Sequence, residues 1–110
     1  MDAGVDAVPG MLIDISATGQ IVLEDGERTG PEGLLGEKGI GPFVPAPNAA
    51  RGAVIVKLIY PDGFDSNVLP VGRGLQFRVE NHESGRLFVG INTAGGEKAS
   101  GEFTATLRWR

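Results

Sequence analysis

The sequence contains no cysteine, one histidine, one tryptophan and one tyrosine. Without cysteine there is no disulfide framework, no thiolate metal site and no cysteine nucleophile. That absence is compatible with reducing and oxidising compartments alike. No apolar run approaches the roughly 18 residues of a helical membrane span. The N-terminal residues also lack the charged-then-apolar pattern of a signal peptide. Basic side chains number 10 against 14 acidic, a net charge of −4, which argues against a nucleic-acid footprint. A sustained i, i+3, i+4 apolar period is missing as well, so helices are not expected. No nucleophile elbow, phosphate-cradling loop or zinc-protease motif occurs.

What is abundant is turn chemistry: 18 glycines and 7 prolines in 110 residues, without a collagen-like period. A chain of this length makes one domain with its own core. Met1 stands directly against domain-like sequence, so residues 1–110 are expected to be one domain cut from a longer protein. The first half is the acidic one. Residues 1–55 hold 8 of the 14 acidic side chains but only 3 of the 10 basic ones.

Strand signals dominate. Residues 11–16 place Met11, Ile13 and Ile15 on one face, opened by Pro9-Gly10 and closed by Thr18-Gly19, with residues 20–23 continuing the sheet. Residues 53–60 form a nearly continuous apolar run, as in a strand buried on both faces, ending at the turn Pro61-Asp62-Gly63. Leu75, Phe77 and Val79 alternate inward, as do Phe103, Ala105, Leu107 and Trp109. Phe77, Phe88, Leu107 and Trp109 are expected to contribute roughly 1.5–3 kcal/mol each through burial. Residues 87–91 and 103–109 read as a hairpin with an unusually roomy polar connection. Residues 24–52 have no period, and the glycine-rich stretch 33–41 within them reads as loop. Short strands separated by turns imply a β-sandwich or barrel.

Candidate chemistry is sparse. His82 lies in the polar stretch Glu80-Asn81-His82-Glu83-Ser84-Gly85 and reads as an exposed turn histidine. Ser84 is near it in sequence, but no orienting third group or oxyanion hole is identifiable. Asp62, Asp65 and Asn67 share a turn without the spacing of a calcium loop, so a solvated turn is expected. Asn92, Thr93, Glu97 and Ser100 offer oxygens but only one carboxylate. Tyr60, at a strand end, is the one aromatic placed near a surface; Phe103 and Trp109 fit the core alternation. An enzyme is therefore not expected.

An ordered series of motifs is similar to a known family. Ser84-Gly85-Arg86-Leu87-Phe88-Val89-Gly90-Ile91-Asn92, then a short loop, then Ser100-Gly101-Glu102-Phe103-Thr104-Ala105-Thr106-Leu107, resembles the end of the calcium-dependent galactophilic lectins of bacteria (PA-IL-like), of the galactose-binding-like class. Asp2-Ala3-Gly4-Val5 followed by residues 8–19 looks like the family's early strand, turn and strand. Gly30-Pro31-Glu32-Gly33 resembles its loop motif. Pro45-Ala46-Pro47 followed by residues 52–58 looks like its buried central strand.

The resemblance implies an all-β fold, an antiparallel β-sandwich of jelly-roll, galactose-binding-like form, and a non-catalytic carbohydrate-binding function. It implies a secreted or cell-surface location and an attachment to a larger protein. In such lectins the last long loop carries calcium, opened by Asn-Asp and closed by Asn-Asn before Ser-Gly. Here Asn92 matches the opening Asn, Thr93 occupies the Asp position, and Lys98 and Ala99 fall where the Asn pair would be. A calcium-free, cofactor-free site is therefore expected, with Asn92, Thr93, Glu97, Lys98, Pro31 and Glu32 as ligand-binding residues on loops 24–52 and 92–100. The expected partner is a glycan or another protein domain, and a homo-oligomer is compatible. The alternative is a structural or protein-interaction β-sandwich without sugar binding.

Overall fold

A computed structural model gives the fold; the described residues are 2–38, 49–66, 68–80, 83–93 and 99–110. Among the described residues all ten elements are strands: β1 (Asp2–Ala7), β2 (Leu12–Val22), β3 (Arg28–Thr29), β4 (Leu34–Lys38), β5 (Ala50–Arg51), β6 (Val54–Ile59), β7 (Leu69–Pro70), β8 (Gly74–Arg78), β9 (Gly85–Ile91) and β10 (Ser100–Trp109). One antiparallel sheet runs β1-β9-β6-β7. In the second, β2 pairs with β10 along one edge and with β8 and β3 along the other. β4 and β5 form a separate two-stranded ribbon. The protein is an all-β, antiparallel sandwich. Among the described residues no helix is long and apolar enough to cross a membrane.

The core follows from alternation. Along β2, Ile13, Ile15, Ala17 and Ile21 are buried while Asp14, Ser16, Thr18 and Gln20 are exposed, the period of two that places one face inward. The first sheet presents Val5, Ala7, Val54, Val56, Leu58, Leu87 and Val89 to that face, and all join one cluster with Ile13, Ile15 and Ala17. β6 sits between β9 and β7, and Val54, Ile55, Val56 and Leu58 are all buried. This explains its unbroken apolar run. On the outer face Arg86 of β9 holds β1 by ion pairs to Asp2 (2.8 Å) and Asp6 (3.1 Å).

Four expectations are corrected. First, Thr18-Gly19 is not a turn: β2 runs unbroken for 11 residues. Gly19 lies opposite Phe103 with φ +113°, and a Cβ there would stand 2.5 Å from the Glu102 carbonyl oxygen. The glycine admits a close backbone approach inside a strand rather than a reversal. Second, part of the 33–41 stretch is the strand β4, whose pairing with β5 could not be read from its own composition. Third, β9 and β10 do not form a hairpin, because β9 belongs to the first sheet and β10 to the second. The strand ends at Ile91 and Ser100 therefore belong to different layers, and a hairpin turn, which joins neighbours within one sheet, does not apply. Fourth, Trp109 is 52% exposed. It does lie on the inward side, opposite Ile13, but at the end of an edge strand where the sandwich stops.

Candidate functional site

Three chain segments converge where β6 begins. The first is the turn at 30–33, closed by the Gly33 N–H donating to the Gly30 carbonyl (3.1 Å). Gly33 has φ +77°, and a Cβ there would meet Ala53 N at 2.8 Å and Ala50 Cβ at 2.9 Å. Only glycine lets this turn rest on the second segment, residues 49–53. Pro31 is fully buried, and its carbonyl accepts from Val54 N–H at 2.9 Å. The third segment is the end of β9. The Asn92 N–H donates to the Ala53 carbonyl, and its own carbonyl accepts from Gly52 N–H, both at 2.8 Å.

The Asn92 side chain is fully buried. Its Nδ2 donates to the carbonyls of Ala49 (3.2 Å) and Ala50 (3.1 Å). The amide thus ties the end of β9 to β5, and Thr93, half-buried, is the next residue out. Glu32, on the 30–33 turn, reaches Arg73 on the turn before β8, with Arg73 Nε 3.2 Å from Oε2 and Nη2 3.4 Å from Oε1. The Nε approach to Oε2 is not aligned for a hydrogen bond, and that shielded oxygen has no other donor. Beside this, Arg51 of β5, 8% exposed, pairs with Asp25 at 2.8 Å. The hydrogen bond from Arg51, followed by one from the Glu27 backbone, holds the Asp25 carboxyl below its ordinary range.

Of the six residues expected from the sequence, Pro31, Glu32, Asn92 and Thr93 therefore gather at one end of the sandwich. Glu97 and Lys98 lie outside the described residues, as do His82 and Asn67. Asp65 pairs with Lys57 at 2.8 Å, and the Asp62 Oδ1 accepts from Phe64 N–H. Sequence reasoning missed Asp25, Arg51 and Arg73. Their only local signal is glycine beside a charge, at Asp25-Gly26, Arg51-Gly52 and Gly72-Arg73-Gly74, and the ion pairs that join them span 26 and 41 residues.

A concavity of about 220 Å³ lies elsewhere, lined by Lys57, Ser66, Phe77, Arg78, Glu80 and Glu83 among others. Near it Tyr60 donates its hydroxyl to Glu83 (3.0 Å). Burial, then the Glu83 carboxylate, raises the Tyr60 pKa. Among the described residues no three histidine, aspartate or glutamate side chains gather closely enough to hold a metal ion.

Compared with known proteins, the chain matches no family model and no curated protein at a significant level. The Arg73–Glu32 pair keeps polar groups toward solvent, whereas the Asn92 amide nitrogen is buried and committed to the Ala49 and Ala50 carbonyls.

Proposed function

We propose that this chain is a non-catalytic carbohydrate-binding module whose site lies at the end of the sandwich where residues 30–33, 49–53 and 92–93 meet. The reading rests on the motif series that resembles the galactophilic lectins. One observation carries it furthest: the buried Asn92 amide fixes the base from which the 92–100 connection leaves. Held by the backbone hydrogen bonds that Asn92 shares with Gly52 and Ala53, Thr93 leaves a well-anchored strand end, which lowers the ordering cost of binding at that residue. The Glu32–Arg73 pair adds a planar donor fork from which sugar hydroxyls can accept and a carboxylate to which they can donate.

The site works without calcium in this reading, since Thr93 stands where the resembling lectins carry a carboxylate. Titration calorimetry against galactose, lactose and a glycan panel tests it. Weak binding unchanged by chelator is expected, reduced several-fold by Thr93→Ala or Arg73→Ala. No response across the panel, or binding abolished by chelator, refutes it. The alternative, a structural or protein-interaction sandwich, is favoured by one specific feature: Phe64 is 73% exposed and Trp109 is 52% exposed. Pull-down of an attached or partner domain that fails for Phe64→Ala would favour that alternative.

A further inference from the structure

β10 is a ten-residue strand that pairs with β2 along its whole length. Among the described residues nothing pairs with its other edge. Arg110 and Leu12 exchange both backbone hydrogen bonds, at 2.8 and 3.1 Å. By the two-residue period of an antiparallel ladder, even-numbered residues of β10 turn their N–H and C=O toward β2. Gly101, Phe103, Ala105, Leu107 and Trp109 therefore turn theirs outward. Edge strands are usually blunted by lysine, proline or a charge pointing inward. β10 has no lysine, proline or inward charge, and its two charged side chains, Glu102 and Arg108, are of opposite sign.

The strand is also complementary to itself. Antiparallel pairing of two copies about Ala105 sets Glu102 opposite Arg108 of the second copy, once at each end. It also sets Phe103 against Leu107 and Thr104 against Thr106. All are pairs that stabilise facing strands. Trp109 falls opposite Gly101, an aromatic over a glycine. This register uses all five outward-facing residues. Because 102 and 108 are equidistant from 105, it also preserves the in–out alternation of both strands. Phe103, Ala105 and Leu107 are only half-buried and Trp109 is mostly uncovered in the single chain, so a neighbouring strand would cover what the rim of the sandwich leaves open.

We propose that two copies of this chain associate by antiparallel β10–β10 pairing centred on Ala105, joining their second sheets into one continuous sheet across a two-fold axis. The surface is isologous, as two-fold dimers require. It is independent of the sugar site, whose residues lie on other elements.

Sedimentation equilibrium of the full chain at about 100 μM is expected to give twice the chain mass of 11.5 kDa. Glu102→Arg and Arg108→Glu, each alone, place like charges opposite one another and should weaken association tenfold or more. The double variant Glu102→Arg/Arg108→Glu restores opposite pairs and should dimerise like the parent. Both residues are exposed, and because Arg108 faces Asp14 across the β2 ladder, circular dichroism and the melting temperature of each variant are compared with the parent's before the masses are read. A variant that fails to fold is replaced by Ala105→Pro, which removes an outward N–H without touching the β2 ladder and should yield a monomer. A monomeric parent, single reversals without effect, or a double variant that stays monomeric each overturns the proposal.

Discussion

Replacing Asn92 by alanine removes a side chain with no solvent exposure that donates to two carbonyls, those of Ala49 and Ala50. Each net hydrogen bond is worth about 1 kcal/mol, and stranding its acceptors in a part-buried setting adds to the loss, for a total of roughly 2–4 kcal/mol. Against a domain stability of about 5–15 kcal/mol this is a large fraction, and it should lower the melting temperature by about 10 °C or more. Urea unfolding followed by tryptophan fluorescence measures it, with an unchanged slope and a lower midpoint. Asn92→Asp is the sharper test. At neutral pH it points a carboxylate at two carbonyl oxygens, which should cost more than alanine does. A buried carboxyl facing carbonyl oxygens has a folded-state pKa above its unfolded value. The folded state then binds the extra proton, so stability of this variant should recover as the pH falls toward 5. An alanine variant within about 0.5 kcal/mol of the parent, or an aspartate variant as stable as the parent at pH 7, would show that the amide is not the latch described.

Gly19→Ala should destabilise by more than about 1 kcal/mol, because a Cβ would stand 2.5 Å from the Glu102 carbonyl at φ +113°; differential scanning calorimetry reads the shift. Val56→Ala, 1% exposed between β9 and β7, should cost roughly 2 kcal/mol by cavity formation. Phe64→Ala, at 73% exposure, should stay within about 0.5 kcal/mol of the parent. The Asp25 carboxyl is lowered chiefly by the Arg51 hydrogen bond. Its stabilisation is therefore complete above the ordinary carboxylate range and is lost as the pH falls through the lowered folded value. Asp25→Asn should make the acid limb of a stability–pH curve shallower, and an unchanged limb would remove Asp25 from the account.

The period of two in residues 11–17, 75–79 and 103–109 and the unbroken run at 53–60 were enough to read an all-β sandwich, because burial on one face or two imposes those patterns directly. The four described candidate residues, Pro31, Glu32, Asn92 and Thr93, were singled out by motif likeness rather than local physics. Nothing in their own neighbourhoods says that Pro31 and Asn92 dock on the same segment. Arg51 and Arg73 were invisible because an isolated arginine beside a glycine looks the same whether it is solvated or paired with a carboxylate 26 or 41 residues away.

By itself, then, the sequence determined which segments are extended and which of their faces are apolar, since a side chain's face is fixed by its position parity. Tertiary structure alone decided which strands share a sheet. It put β9 and β10 in different layers, turned Gly19 from a presumed turn into a close contact, and left Trp109 at an uncovered rim. Parity tells a side chain which way to point; only the strands packed opposite determine whether anything is there to meet it.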